Sequence, residues 1–167
     1  MSPKGTKILK WSLGILVGGF ILIQLIPTWL LQKNPEVIAE PNWDSAQTRE
    51  LAQRACFDCH SNETVWPWYS RIAPFSWLVT LDTIRGRREL NFSEWGVAGS
   101  GEGGEGEEGE GFEGGEGGEG GEGGEETGEL IRSGEMPPGM YIMMHPNAKL
   151  TEEEKQLLIQ GLEASLK

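Results

Sequence analysis

The sequence predicts an all-α protein, a small helical domain behind a single N-terminal transmembrane helix. Three observations carry this. From Trp11 to Gln32 no side chain is charged and most are apolar, a run of about 32 Å as a helix, enough to cross the hydrocarbon core of a bilayer. Further along, apolar residues recur at helical spacing behind recognisable N-caps, and no strand-like run precedes Cys56. The third observation is Cys56-Phe57-Asp58-Cys59-His60, a C-x-x-C-H string that holds both cysteines of the chain. At 167 residues there is room for one domain plus accessories.

The N-terminal segment, residues 1–10, carries Lys4, Lys7 and Lys10, and only Lys33 follows soon after the apolar run. The positive-inside rule places this segment in the cytoplasm and the remainder outside. Trp11 and Trp29 stand near the two ends of the anchor, residues 11–32, where interfacial aromatics are favoured. A cleaved signal peptide is the competing reading, because Val37-Ile38-Ala39 resembles a cleavage site. The apolar run is longer than a usual signal core, which favours a retained anchor, although Pro27 shortens its uninterrupted helical part. Residues 33–43 contain Pro35 and Pro41 and read as an extended linker. Asp44 or Ser45 then caps a short helix, with Gln47 as a capping-box partner for Asp44. Leu51, Ala52, Ala55 and Cys59 follow at helical spacing.

This helix delivers C-x-x-C-H, the attachment signature of a c-type haem. Two thiols can add across the haem vinyl groups, and the His after the second Cys can supply the proximal iron ligand. Helical geometry would put Cys56 and Cys59 on one face, within reach of one porphyrin edge. A zinc site would need four ligands, and Cys56, Cys59, His60 and His145 make an awkward set because two of them are adjacent. A thioredoxin-like dithiol wants a βαβ setting that is missing. The favoured cofactor is therefore one covalent haem c per chain, and the domain at 44–167 reads as a cytochrome c-like haem domain.

Beyond the motif, Trp66, Trp68 and Tyr69 open an aromatic-rich loop, read as a haem wall or as ordinary core. From Ser76 to Trp95 a helical pattern places Trp77, Leu81, Ile84 and Arg88 on one side. Arg87, with Arg85 and Arg88, could pair with haem propionates, or simply form a solvated basic face. The net charge of −12 is local, since roughly a dozen glutamates lie between Gly99 and Glu129. That Gly/Glu tract, residues 99–128, cannot bury apolar area and is expected to be disordered, with at best a frayed helix near Glu125 to Ser133. Calcium binding by such isolated glutamates is disfavoured. No basic stripe with interleaved aromatics suggests nucleic acid. Met136, in front of Pro137, is the candidate sixth iron ligand, with His145 as the alternative and Met140, Met143 and Met144 nearby. Thr151 and Glu154 form a capping box for a last helix. Its stripe of Leu158, Leu162 and Leu166 should pack on the helix before Cys56, with Gly161 permitting close approach.

Several strings together carry a resemblance. Cys56 to Thr64, Trp66-Pro67-Trp68-Tyr69-Ser70, Ile72-Ala73-Pro74, Gly86-Arg87, Asn91-Phe92-Ser93-Glu94-Trp95 and Glu135-Met136-Pro137-Pro138 are similar to the bacterial haem-binding domain family. The resemblance covers nearly everything from Trp43 onward except the Gly/Glu tract, which departs from the helix-competent segment expected there. It implies a small, membrane-anchored, monohaem cytochrome c-like protein of the bacterial inner membrane with its haem domain in the periplasm. The expected function is single-electron transfer with redox partner proteins. The alternative is a haem-based ligand or redox sensor with a labile sixth ligand. No separate catalytic constellation argues for an enzyme.

Overall fold

The computed structural model describes residues 3–96 and 122–166. Among them the regular structure is helical, and the only bridge between extended segments is an isolated parallel pair, Ala39 with Glu94. The α-helices are α1 (Pro3–Ile23), α2 (Ala46–Ala55), α3 (Phe57–His60), α4 (Phe75–Glu89), α5 (Glu122–Ser133), α6 (Gly139–Met144) and α7 (Glu152–Ser165). The chain forms two compact units. One comprises the residues up to Lys33 with Trp66–Asp82, the other Asn34–Val65 with the residues from Thr83 on.

In the first unit, the stretch Gly5–Leu30 is long and apolar enough to cross a membrane. The α-helix is displaced toward the N-terminus relative to the expected span of 11–32. It starts in the lysine-bearing segment and stops at Ile23, and a 3-10 turn follows at Thr28–Leu30. Pro27 explains the break, since its ring and missing N–H cannot continue the helical ladder. Past the break the chain is tied to the aromatic segment of the same unit. The Gln24 side chain donates to the Ala73 carbonyl at 3.1 Å and accepts from the Ala73 N–H at 2.9 Å. Gln32 donates to the Ser70 carbonyl at 2.5 Å and to Thr80 Oγ1 at 3.1 Å.

The second unit is built on α2, α5 and α7. Ser45 caps α2, accepting from the Thr48 N–H at 3.1 Å. Thr151 and Glu154 form the expected capping box at the start of α7, satisfying donors that the helix end leaves open. Leu51, Ala52 and Ala55 of α2 join Ile131 of α5 and Leu158 and Leu162 of α7 in one buried cluster. The approach of α7 to α2 rests on Gly161, where a β-carbon would lie 2.1 Å from Thr48 Oγ1. Arg54, near the end of α2, pairs with Glu154 at 2.6 Å.

Most of the tract expected to be disordered, 99–121 of 99–128, lies outside the described residues. From Glu122 on it is helix α5. Its buried Gly128 faces α7, where an added β-carbon would stand 3.1 Å from the Ile159 side chain. The linker is likewise more engaged than its prolines suggest. Ile38 and Ala39 donate to the Ser93 carbonyl, and Trp95 donates to the Ala39 carbonyl at 3.0 Å. Arg49 grips Glu40 with two bonds of 2.7 Å.

Candidate haem site

The last turn of α2 runs directly into the C-x-x-C-H string. The Cys56 N–H still donates to Ala52, and the Cys59 and His60 N–H groups both return to the Cys56 carbonyl, at 3.1 and 2.9 Å. The motif thus closes into the single helical turn α3, the i, i+3 arrangement that presents two sulfurs together. Both cysteines are free thiols and half-buried. Burial, reinforced by the neighbouring Cys59, pushes the Cys56 thiol up to about 12, so it is held neutral.

His60 is oriented from the far end of α4. Its Nδ1 lies 3.1 Å from the Leu90 carbonyl, which makes Nδ1–H the donor and leaves Nε2 as the nitrogen available to a metal. The Leu90 carbonyl is available because it lies past the end of the helix, where carbonyls have no intrahelical partner. Burial lowers the His60 pKa against the opposing pull of the Leu90 and Gly86 carbonyls, favouring the neutral, ligating imidazole. Its own carbonyl accepts from the Phe92 N–H at 2.8 Å. Gly86 is the contact point of α4. A β-carbon there would stand 2.6 Å from the Cys59 carbonyl oxygen and 3.1 Å from the Cys59 β-carbon.

The two residues inside the motif hold it in place. Phe57 points inward and is 3 % exposed, packed with Trp43 and Phe92 at centroid distances of 6.2 and 5.6 Å. Asp58 points outward. Its Oδ1 accepts from the Val65 N–H at 2.9 Å and its Oδ2 from the Tyr141 hydroxyl at 2.7 Å. Burial and this bond both raise the Tyr141 pKa, so the phenol remains a donor. The turn after His60 is fastened by Asn62, which is 2 % exposed. It donates to the Glu36 carbonyl and Glu94, and accepts from Asn91. Asp58, Asn62, Gly86 and Tyr141 were not legible as site residues. Their one sequence signal is position, polar types or glycine close to the motif or in the strings around it.

Arg87 is engaged with the chain itself. Nε donates to the Ser61 carbonyl at 2.7 Å, and Nη2 to Thr64 Oγ1 at 2.8 Å and Asn34 Oδ1 at 3.0 Å. It braces the turn after the motif rather than lying on a solvated basic face. Trp66, Trp68 and Tyr69 fall in the other unit, with the apolar helix. Met136 is half-buried against the core cluster that also receives Cys56. Its N–H donates to the Leu130 carbonyl at 3.0 Å. His145 stacks on Tyr141 at 4.3 Å, with Nδ1 3.2 Å from the Tyr141 carbonyl. Both sixth-ligand candidates therefore lie on the stretch that Tyr141 ties to Asp58.

Among the described residues no group of three or more His, Cys, Asp or Glu side chains is arranged to hold a metal ion. Two thiols on one turn beside an imidazole with a fixed tautomer are instead the donor set that a c-type haem needs. The fold and this set define a helical haem-binding protein. The sequence model of the haem-binding domain family matches residues 18–164, and the chain belongs to that family. No curated protein and no solved structure matches it.

Proposed function

We propose that the chain is a membrane-anchored electron carrier with one covalent c-type haem, facing the periplasm of a bacterial cell. The observation that carries this is the closed C-x-x-C-H turn with His60 held at Nδ1 by the Leu90 carbonyl. The haem, when bound, supplies a reversible one-electron iron couple. Cys56 and Cys59 would hold its edge, and His60 would ligate from one side. Met136 would be the second protein ligand, with His145 as its alternative. Burial of Phe57 and the bonds of Asp58, Asn62 and Arg87 keep this frame rigid, which suits a centre whose task is electron transfer. The stretch Gly5–Leu30 would anchor it, with the lysines on the cytoplasmic side.

The test is haem staining of the purified chain on a denaturing gel, followed by its absorption spectrum. The expected result is haem that stays with the wild type and is lost in the Cys56→Ala, Cys59→Ala double variant. Haem that dissociates from the wild type on denaturation overturns covalent attachment. A six-coordinate low-spin spectrum is expected for an electron carrier. Ready binding of carbon monoxide by the reduced protein points to a ligand sensor. Met136→Ala should remove the weak sulfur-to-iron band at the red end of the ferric spectrum. A wild type without that band, whose low-spin form is lost in a His145 variant, would move the sixth ligand there.

A further inference from the structure

Helix α4 begins inside out. Phe75, Leu78 and Leu81, spaced three apart on one side, are 52 %, 41 % and 48 % exposed, while the small polar Ser76 and Thr80 are buried at 3 % and 2 %. A water-facing helix shows the opposite order, apolar residues in and polar residues out. Small hydroxyl residues at the packed face, with large apolar ones outside, is the arrangement of helices whose solvent is lipid. Trp68, in the loop before the helix, is more exposed still, at 74 %.

The same unit contains the apolar N-terminal stretch, and the hydrogen bonds show how the two segments of this unit are joined. Gln24 is one of the few polar side chains inside the run that extends to Leu30. Its amide makes a reciprocal pair with the Ala73 backbone, and Gln32 holds Ser70 and the buried Thr80. These bonds draw the loop and the start of α4 alongside the end of the span, at the depth of Gln24. Trp29, Gln32, Trp66 and Arg71 line a cleft of about 410 Å³ there, and indole and guanidinium groups suit the headgroup level of a bilayer. The family match begins at residue 18, within the span, so the span's second half belongs to the domain.

The geometry points to a second membrane-contact surface, formed by Trp68, Phe75, Leu78 and Leu81. It is inserted among the lipids of the outer leaflet and latched to the end of the anchor by Gln24 and Gln32. This rests on the anchor reading proposed above. An apolar face of this kind lies in the boundary between headgroups and acyl chains. It also requires the N-terminal segment to be retained, because cleavage after Ala39 would remove both glutamines from the folded unit.

The test is photolabelling of the full-length protein in phosphatidylcholine–phosphatidylglycerol vesicles that contain a lipid with a diazirine near the top of its acyl chain. Adducts are mapped by mass spectrometry. Adducts on α1 and on Trp68, Phe75, Leu78 or Leu81 are the expected result. Adducts on α1 alone overturn the second surface and leave the anchor standing. Adducts on neither overturn both. In Gln24→Leu, which keeps the stretch Gly5–Leu30 apolar, labelling of the second surface should fall several-fold while that of α1 is unchanged. Undiminished labelling of both overturns the latch.

Discussion

At the scale of single residues, Gly86 and Glu40 show how little of a residue's role is written beside it. In the interior of a helix, Gly→Ala ordinarily gains about 1 kcal/mol. At Gly86 the sign should reverse, because a β-carbon would meet the Cys59 backbone at 2.6 Å, and overpacking costs about 1–3 kcal/mol. Gly86→Ala is expected to lower the urea midpoint and the yield of attached haem. Gly139→Ala, with open space at its β-carbon, should leave both unchanged. Glu40 offers a pH test. Its hydrogen bonds from Arg49 hold its carboxyl below the usual 4.5. A depressed folded pKa gives stability that is fully present above about 4.5 and lost as pH falls through the folded value. The pair is partly exposed, so it contributes at most about 1 kcal/mol. The Tm difference between wild type and Glu40→Gln should therefore be present at pH 7 and shrink as the pH falls below about 4.5. A constant difference across that window would show that charge is not involved.

At the scale of elements, the crossing of α2 and α7 is the joint that positions the haem turn, since only Cys56 separates α2 from α3. Gly161→Ala drives a β-carbon to within 2.1 Å of Thr48 Oγ1 and 2.4 Å of its Cγ2, which should destabilise the protein by about 1–3 kcal/mol. Both offending atoms disappear in Thr48→Ala. The double variant should recover part of the loss, and denaturant titration of all four proteins would reveal the coupling. Additive losses would mean that the two helices do not meet there. The helical period over Ser76 to Trp95 places Trp77, Leu81, Ile84 and Arg88 on one side, and in α4 Leu81 is exposed while Thr80 is buried. A helical period identifies a face and does not say whether that face meets protein, water or lipid.

At the scale of the whole chain, the Tyr141–Asp58 bond joins residues 83 apart in sequence and ties α6 to the haem turn. A hydrogen bond to a charged group contributes about 1.5–3 kcal/mol. Tyr141→Phe should lose about that much stability. In the haem-loaded protein it should also loosen the proposed sixth ligand, so that carbon monoxide binds the reduced form faster than in wild type. Unchanged stability and unchanged binding would show that α6 is held by other contacts.

The sequence by itself determined the features set by neighbouring residues. These are the apolar N-terminal run, a cap at Asp44 or Ser45, which the structure resolves to Ser45, the cap at Thr151, the C-x-x-C-H turn and the small residue at 161. Each depends on chemistry within about one helical turn, so it can be read in place. The tertiary structure alone decided which carbonyl orients His60, that Asp58 reaches Tyr141, and that Arg87 braces the turn after the motif. It also decided that Gly128 of the Gly/Glu tract packs on α7, and that the linker is fastened to Ser93 and Trp95. These partners lie tens of residues away, and no local pattern encodes them. They exist because burying Phe57, Phe92 and the α2–α5–α7 core brings distant backbone groups together, where each must find a hydrogen bond or bear the cost of desolvation.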